Sequence, residues 1–130
     1  MTDKPDFAHI IDLFYQASGS GDFESANDLM TDDFIINEAP NLPFGGVYKG
    51  KSALKSLYET IIGMMTIIDV KHSLQMVGDS SAATLVELTP EGSDGEKIFI
   101  LEMFIFRGDR VCEIRPFYYD ADVVKKYCKT

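Results

Sequence analysis

The spacing of apolar residues changes once along the chain, from a helical period in the first half to alternation in the second. In the first half, apolar side chains recur every three to four residues in the segments Phe7 to Ser18, Phe23 to Met30 and Ala53 to Ile62. Each segment is therefore predicted to be a helix. Asp3 is a candidate cap for the first helix, with Pro5 in its first turn, and Asp22 suits the N-cap of the second.

The residues between the second and third helices predict one short strand and a long loop. Phe34-Ile35-Ile36 has the β-branched and aromatic composition of a strand. The loop from Asn37 to Gly50 is rich in Pro and Gly, which favour turns.

The second half predicts four antiparallel strands, because apolar and polar residues alternate and tight turns separate the segments. A short C-terminal helix is expected from Asp120 to Cys128. The order of elements indicates an α+β fold in a single domain of residues 1–130, with helices packed on one face of a curved, mostly antiparallel sheet. The predicted strands are Ile68 to Met76, Ala82 to Thr89, Ile98 to Phe106 and Val111 to Tyr119.

Composition and charge exclude several classes of function. The 130 residues are 45% hydrophobic and 25% charged, as in globular proteins, and the net charge of -9 disfavours binding to nucleic acid or to an anionic membrane. No apolar stretch reaches the ~18 residues of a membrane span, and the N-terminus does not resemble a signal peptide, so we expect a cytoplasmic protein. Cys112 and Cys128 are expected to be free structural thiols. Two isolated histidines and no Cys or His cluster predict no metal and no other cofactor.

One charged residue, Glu102, interrupts the apolar run from Ile98 to Phe106. A buried carboxylate without a partner would cost several kcal/mol, so Glu102 is expected to hold a proton or to find a donor. The run is apolar on both faces of the predicted strand, and the face away from the helices therefore needs a cover. A second copy of the chain, forming a homodimer through the sheet, is the simplest cover.

Four sequence markers, in this order, resemble the cone-shaped nuclear transport factor 2-like (NTF2-like) and SnoaL-like proteins, a family that includes ketosteroid isomerase. The resemblance spans nearly the whole chain and implies three N-terminal helices on a sheet curled around a deep apolar pocket. It specifies a fold more than an activity, because such folds serve many reactions. The markers are Gly21-Asp22, Met30 to Phe34, Gly45 to Gly50, and Phe117 to Asp120.

The resemblance implies roles for two carboxyl groups. Glu38 falls where the isomerases carry a general base, and Glu102 falls where they carry a protonated acid that donates to the developing oxyanion. Two other interpretations remain open. Glu38 could be a solvated residue at a strand end, and Glu102 could be a structural residue paired to Arg115 or to another donor.

The pattern departs from the isomerases on the first helix. Their tyrosine stands seven residues before the Gly-Asp pair, where this chain has Phe14, and Tyr15 is expected to point about 100° away around the helix. Half of the oxyanion hole would then be missing unless Tyr58, Tyr118 or Tyr119 supplies it. Losing one such donor typically costs ~100-fold in turnover, which disfavours steroid isomerisation.

Three further residues are candidates for the site, each with an alternative role. His72 is expected on the apolar face of its strand, either as a core residue or as an acid–base partner. Asp120 could act as a base, as an aspartate in this region does in the polyketide cyclases that the family resembles, or could cap the last helix. Arg115 could bind an anionic substrate group or form an internal ion pair.

These residues together predict a cofactor-independent enzyme that acts on an apolar, carbonyl-bearing small molecule. Isomerisation or cyclisation by proton transfer is preferred, then dehydration or epoxide hydrolysis. The alternative is a non-catalytic ligand-binding or dimerisation module. An enzyme predicts Glu38 and Glu102 in one cavity, whereas a module predicts Glu102 locked to a donor. Expected pocket-lining residues, which could equally be plain core, are Phe14, Phe44, Tyr48, Tyr58, Met64, Met65, Phe104 and Phe117.

Overall fold

The structure, a computed structural model, describes residues 5–129. Within that range it has four helices and six strands, and α3 and α4 follow strands rather than standing at the N-terminus. In chain order the elements are α1 (Phe7–Gly19), α2 (Phe23–Asn27), β1 (Met30–Glu38), β2 (Gly46–Lys49), α3 (Ala53–Met64), β3 (Ile67–Val77), β4 (Ser81–Pro90), β5 (Ile98–Arg107), β6 (Arg110–Tyr118) and α4 (Ala121–Tyr127).

All six strands form one curved sheet in the order β2-β1-β6-β5-β4-β3. β1 pairs in parallel with β6 and every other pair is antiparallel, so the predicted α+β class and mostly antiparallel sheet are confirmed. The parallel pair brings the strand that carries Glu38 next to β6, which itself pairs with the strand that carries Glu102. The two carboxyl groups therefore lie on strands separated by one neighbour.

Aspartate side chains cap the first two helices. Asp6, and not a residue further upstream, caps α1 by accepting from the His9 amide at 3.1 Å, and the predicted cap Asp3 lies outside the described residues. Asp22 caps α2 as predicted, accepting from the Ser25 amide at 3.1 Å. The helix α2 ends at Asn27, earlier than predicted, because Met30 already begins β1.

The predicted loop from Asn37 to Gly50 contains a strand that the sequence pattern missed. β2 pairs with the end of β1, with Glu38 opposite Gly46, and thereby places Glu38 inside a strand. Gly45 is required just before β2, because a Cβ there would overlap the carbonyl oxygen of Ala39. β2 has only four residues, too few to show a clear alternation.

The strand β3 differs from the prediction of a half-buried strand. It is an edge strand, and its apolar side chains are largely exposed, with Leu74 61% exposed. His72 pairs with Val86 but Leu74 pairs with Leu85, so Ser73 is an extra residue in a β-bulge. Because directly opposed residues share a face, the bulge moves Leu74 to the face opposite that of His72.

The core fills the space between the helices and the inner face of the sheet, which is the face that the helices cover. Phe34 and Ile36 of β1 and Phe104 of β5 are fully buried there, against Ile11 and Phe14 of α1. The Phe14 and Phe104 rings meet edge to face, with centroids 5.6 Å apart. The same alternation that buries these residues directs Glu38 and Glu102 inward.

Two further predictions concern the cysteines and membrane-spanning helices. Both Cys112 and Cys128 are free and partly buried, as predicted. Within residues 5–129, no helix is long and apolar enough to cross a membrane.

Candidate active site

Glu102 accepts a short hydrogen bond from the first helix. The Tyr15 hydroxyl donates to Glu102 Oε1 at 2.6 Å. The expectation that Tyr15 turns away from the site is therefore wrong. An apolar helix face spans 100° or more, which leaves room for Phe14 in the core and for Tyr15 beside it on the sheet. Tyr15 also contacts Phe104 edge to face, with ring centroids 5.7 Å apart.

Glu38 lies on the inner face of β1 in line with Phe34 and Ile36, and it is only 1% exposed. The prediction of a solvated residue at a strand end is thus excluded. Burial, and next the negative charge of Glu102, raise the pKa of Glu38 to about 8, while a hydrogen bond from Tyr118 opposes the shift. Its Oε1 has no hydrogen-bond partner among the described residues.

Glu102 lies deep in the molecule, yet part of the residue is accessible to water. Burial raises the pKa of its carboxyl, and the hydrogen bond from Tyr15 opposes that shift. Because the charge of Glu102 acts on Glu38, the two groups titrate as an interacting pair. Such pairs of perturbed carboxyls are typical of acid–base sites.

Thr84 is a site residue that sequence reasoning missed. It is buried on β4 directly across from Glu102, and hydrogen bonding from its hydroxyl opposes the burial-driven rise in the pKa of Tyr15. Gln75 of β3 contacts Thr84 Oγ1 at 3.5 Å. The sequence held one usable signal, a hydroxyl at an inward position of an otherwise apolar strand face.

His72 lies beside the Tyr15–Glu102 pair. Its ring stands 4.0 Å from the Tyr15 ring, tilted by 33°. The residue is exposed, so the alternative of a core histidine is wrong. Partial desolvation lowers its pKa, opposed by the charge of Asp12, which favours a neutral imidazole at neutral pH. An acid–base role for His72 stays a prediction.

Three candidate residues lie away from the two carboxyls. Asp120 is exposed and caps α4 by accepting from the Asp122 amide at 3.0 Å, the second of its two predicted roles. Arg115 binds Glu113 at 2.8 Å and not Glu102. Arg115 and Phe117 stand opposite Met103 and Leu101 on the outer face of the sheet, which is the face turned away from the helices. Strand alternation thus places both on the face opposite that of the two carboxyls.

The other predicted pocket residues lie on the inner side, most of them as tightly packed core. Phe14, Phe44 and Phe104 are at most 2% exposed. The Tyr48 hydroxyl donates to the Phe44 carbonyl at 2.7 Å. Tyr58 stacks edge to face on Phe23, with 5.5 Å between centroids, and Met65 is buried while Met64 is partly so.

Metal binding finds no support in the part of the chain that the structure describes, where no three His, Cys, Asp or Glu side chains come together. The absence of a cofactor stays a prediction. The described site thus offers two coupled carboxyls, a tyrosine and a histidine, which are groups that hold and move protons.

Comparisons with known proteins identify the fold. No protein-family model matches the chain, and none of the curated proteins does. An NTF2-like protein from Burkholderia xenovorans is 15% identical, with 94% of this chain and 95% of that chain covered and a TM-score of 0.75. A protein of Rhodopseudomonas palustris, provisionally described as an isomerase, is 20% identical, with 97% of each chain covered and a TM-score of 0.67.

A third solved structure, from Kribbella flavida, is provisionally described as a ketosteroid isomerase. It is 16% identical, with 87% of this chain and 77% of that chain covered and a TM-score of 0.67. At these identities the likeness concerns the backbone and not the chemistry. The chain has the NTF2-like fold of the NTF2-like and SnoaL-like proteins.

Proposed function

We propose that the protein is a cofactor-independent isomerase or cyclase that moves a proton on an apolar, carbonyl-bearing small molecule. The observation that carries the proposal is the pair of inward carboxyls, Glu38 and Glu102, with pKa values raised by burial and with Tyr15 bonded to one of them. Two solved structures of the same fold carry provisional isomerase descriptions, and the likeness to them is one of fold.

The chemistry needs one carboxylate and one proton donor at the same time. The carboxylate removes a proton from the carbon next to the carbonyl, and the donor stabilises the negative charge that develops on the carbonyl oxygen. Two interacting carboxyls supply both states, because ionisation of the first opposes ionisation of the second. Each function contributes on the order of 100-fold or more to the rate.

The surroundings favour an uncharged, apolar substrate. Aromatic side chains such as Phe44, Phe104 and Tyr118 wall the inner face of the sheet near the carboxyls. Arg115, a candidate for binding an anion, is bound to Glu113 on the outer face. A cytoplasmic location is proposed together with this function.

The test is deuterium exchange from solvent into cyclic β,γ-unsaturated ketones of increasing size, steroid 5-en-3-ones included, followed by NMR. Wild-type protein is expected to exchange and isomerise at least one of them. Replacing Glu38→Gln or Glu102→Ala should lower the rate by roughly 100-fold or more, and Tyr15→Phe by less. Glu91→Gln, at an exposed position, is the matched control. Equal rates for wild type and Glu38→Gln across all ketones would refute the proposal.

A non-catalytic ligand-binding module is the second candidate, and one observation favours it. Tyr15 already holds Glu102 through a 2.6 Å hydrogen bond, as expected if Glu102 is locked to a donor. Such a module would bind the ketones, seen as shifts in the NMR spectrum, without any exchange. Dehydration or epoxide hydrolysis is the remaining enzymatic alternative, and it would use His72 beside Tyr15.

We also propose that the protein is a homodimer through the outer face of the sheet. A cavity of about 550 Å³ opens on that face, and its walls are almost entirely apolar. The β-bulge adds Leu74 and Met76 to the same face. Glu113 and Arg115, also on this face, form an ion pair with no net charge. Monomers rarely expose apolar patches larger than a few hundred Å². The cavity is lined by Leu85, Phe99, Leu101, Phe117, Tyr118 and Tyr119.

A further inference from the structure

A chain of hydrogen-bond donors ends on Glu102. Gln75 Nε2 donates to Thr84 Oγ1 over a long 3.5 Å, hydrogen bonding from the Thr84 hydroxyl opposes the burial-driven rise in the pKa of Tyr15, and Tyr15 donates to Glu102 Oε1 at 2.6 Å. Each hydroxyl has a single proton. Because Thr84 accepts from Gln75, its proton is free for Tyr15, and the Tyr15 proton is then free for Glu102. Donors in series polarise one another and stabilise charge at the end of the chain.

Glu38 has weaker support for a negative charge. It is 1% exposed and its Oε1 is unpartnered among the described residues, whereas Glu102 retains some access to water. Its one donor is the Tyr118 hydroxyl. Ionising a buried carboxyl that has an unpartnered oxygen is unfavourable, so Glu38 is more stable in the protonated form.

We propose that the resting site carries its negative charge on Glu102 and its proton on Glu38. Thr84 is the positioning residue that keeps the charge on Glu102. Glu102 is then the base and Glu38 the acid, the reverse of the roles that the resemblance to ketosteroid isomerase implies. These chemical roles rest on the proposed function, while the charge assignment can be tested without any substrate.

The electrostatic interactions of the neighbouring groups agree with ionisation of Glu102 before Glu38. Burial, and next the charge of Glu102, raise the pKa of Glu38 and of Tyr15, as a charge present before those groups ionise would do. The titratable groups that interact with the two carboxyls come from α1, α3, β2 and β6, and His72 of β3 lies on the Tyr15 ring. They are Tyr15, Tyr58, Tyr48 and Tyr118, with Cys128 next to Tyr118 and Asp12 next to His72.

The reaction balances with these roles. The Glu102 carboxylate takes the α-proton of the ketone while the Glu38 carboxyl gives its proton to the carbonyl oxygen, which yields a neutral dienol, protonated Glu102 and ionised Glu38. Glu102 then returns its proton to the γ-carbon, and Glu38 takes back the proton of the enol hydroxyl. The double bond has moved, both carboxyls are restored, and no other reactant is needed.

The test is a ¹³C carboxyl NMR titration of the wild-type protein, with the two signals assigned by Glu38→Gln and Glu102→Gln. Glu102 is expected to lose its proton at a lower pH than Glu38. Thr84→Val should raise the pKa of Glu102 by roughly 0.2–0.5, because Tyr15 becomes a weaker donor. Thr84→Ser, which keeps the hydroxyl, should leave that pKa unchanged.

The variant Tyr15→Phe separates positioning from simple packing across the strands. In that background Thr84→Val should have no effect on the pKa of Glu102. The inference is overturned if Glu38 ionises before Glu102, or if Thr84→Val still shifts Glu102 without Tyr15. A protein with the expected order that exchanges no ketone would refute the proposed function and leave the charge assignment standing.

Discussion

At the scale of the residue, burial determines whether Glu38 carries a proton. Its carboxyl is buried on β1, accepts a hydrogen bond from Tyr118 and interacts with the charge of Glu102. Burial is the largest cause of its raised pKa. A folded-state pKa of about 8 means that the folded protein keeps a proton which the unfolded chain loses at an ordinary, more acidic pH. Folding is therefore linked to pH through this one residue.

Stability is expected to fall as pH rises, between the ordinary pKa of a glutamate and about pH 8. Below that window Glu38 is protonated in both states and its contribution to stability is fully present. Within the window, only the folded state holds the proton, so stability declines by up to about 1.4 kcal/mol per pH unit. Urea unfolding at a series of pH values measures the slope.

The variant Glu38→Gln should remove this one-proton slope and leave the rest of the pH dependence. The exposed Glu91→Gln serves as the control and should keep the slope. If both variants follow the wild-type curve between pH 5 and 8, Glu38 does not hold a proton in the folded protein.

At the scale of the element, the short segment before β2 fixes the position of Glu38. Gly45 approaches Ala39 so closely that a Cβ would overlap its carbonyl oxygen, and the segment connects Glu38 at the end of β1 to Gly46 opposite it. A side chain at position 45 has to displace backbone, which does not yield as a flexible side chain does.

Gly45→Ala is expected to destabilise the fold by about 1–3 kcal/mol, since overpacking next to a fixed backbone typically costs that much. Gly63→Ala is the matched control. Gly63 lies in α3 with nothing within 4 Å of a Cβ, so alanine there should be neutral or stabilise the protein by up to about 1 kcal/mol. Urea unfolding compares the two, and equal effects would contradict the close approach at Gly45.

At the same scale, the sequence pattern predicts some features of the elements and not others. The sequence pattern correctly predicts the strands β4, β5 and β6, whereas the place of Glu102 in the site was implied by the family resemblance. It also predicts the strand β3, but it wrongly places His72 and Leu74 on one face, because a one-residue bulge at Ser73 leaves no signal in the hydrophobic pattern. Tyr15 was not predicted at the site, because counting back from Gly21 identifies only Phe14. The count does not show how wide a face of the helix contacts the sheet.

At the scale of the whole molecule, the apolar residues divide between two faces of one sheet. The inner face holds the core and the two carboxyls, and the outer face carries exposed Phe99 and Phe117 around the apolar cavity. A second copy on the outer face would cover these residues without blocking the inner one. The proposed dimer and the proposed site thus use opposite faces of the same strands.

Phe117→Glu is expected to convert the dimer to a monomer, because it places a charge at a 50% exposed aromatic position of the outer face. Ile62→Glu is the control, since Ile62 is 72% exposed on α3, outside the sheet. Sedimentation equilibrium measures the mass of each. A wild-type protein that is monomeric at high micromolar concentration would refute the dimer.

The central claim is that Glu38 and Glu102 form one coupled acid–base pair inside the fold. The most direct measurement is the pKa of the Glu38 carboxyl by ¹³C NMR in wild-type protein and in Glu102→Gln. We expect a pKa of about 8 in the wild type, and a lower pKa, still above the ordinary one, in the variant, since burial remains but the charge of Glu102 is gone. A wild-type Glu38 that titrates near the ordinary value, or one unaffected by Glu102→Gln, would contradict it.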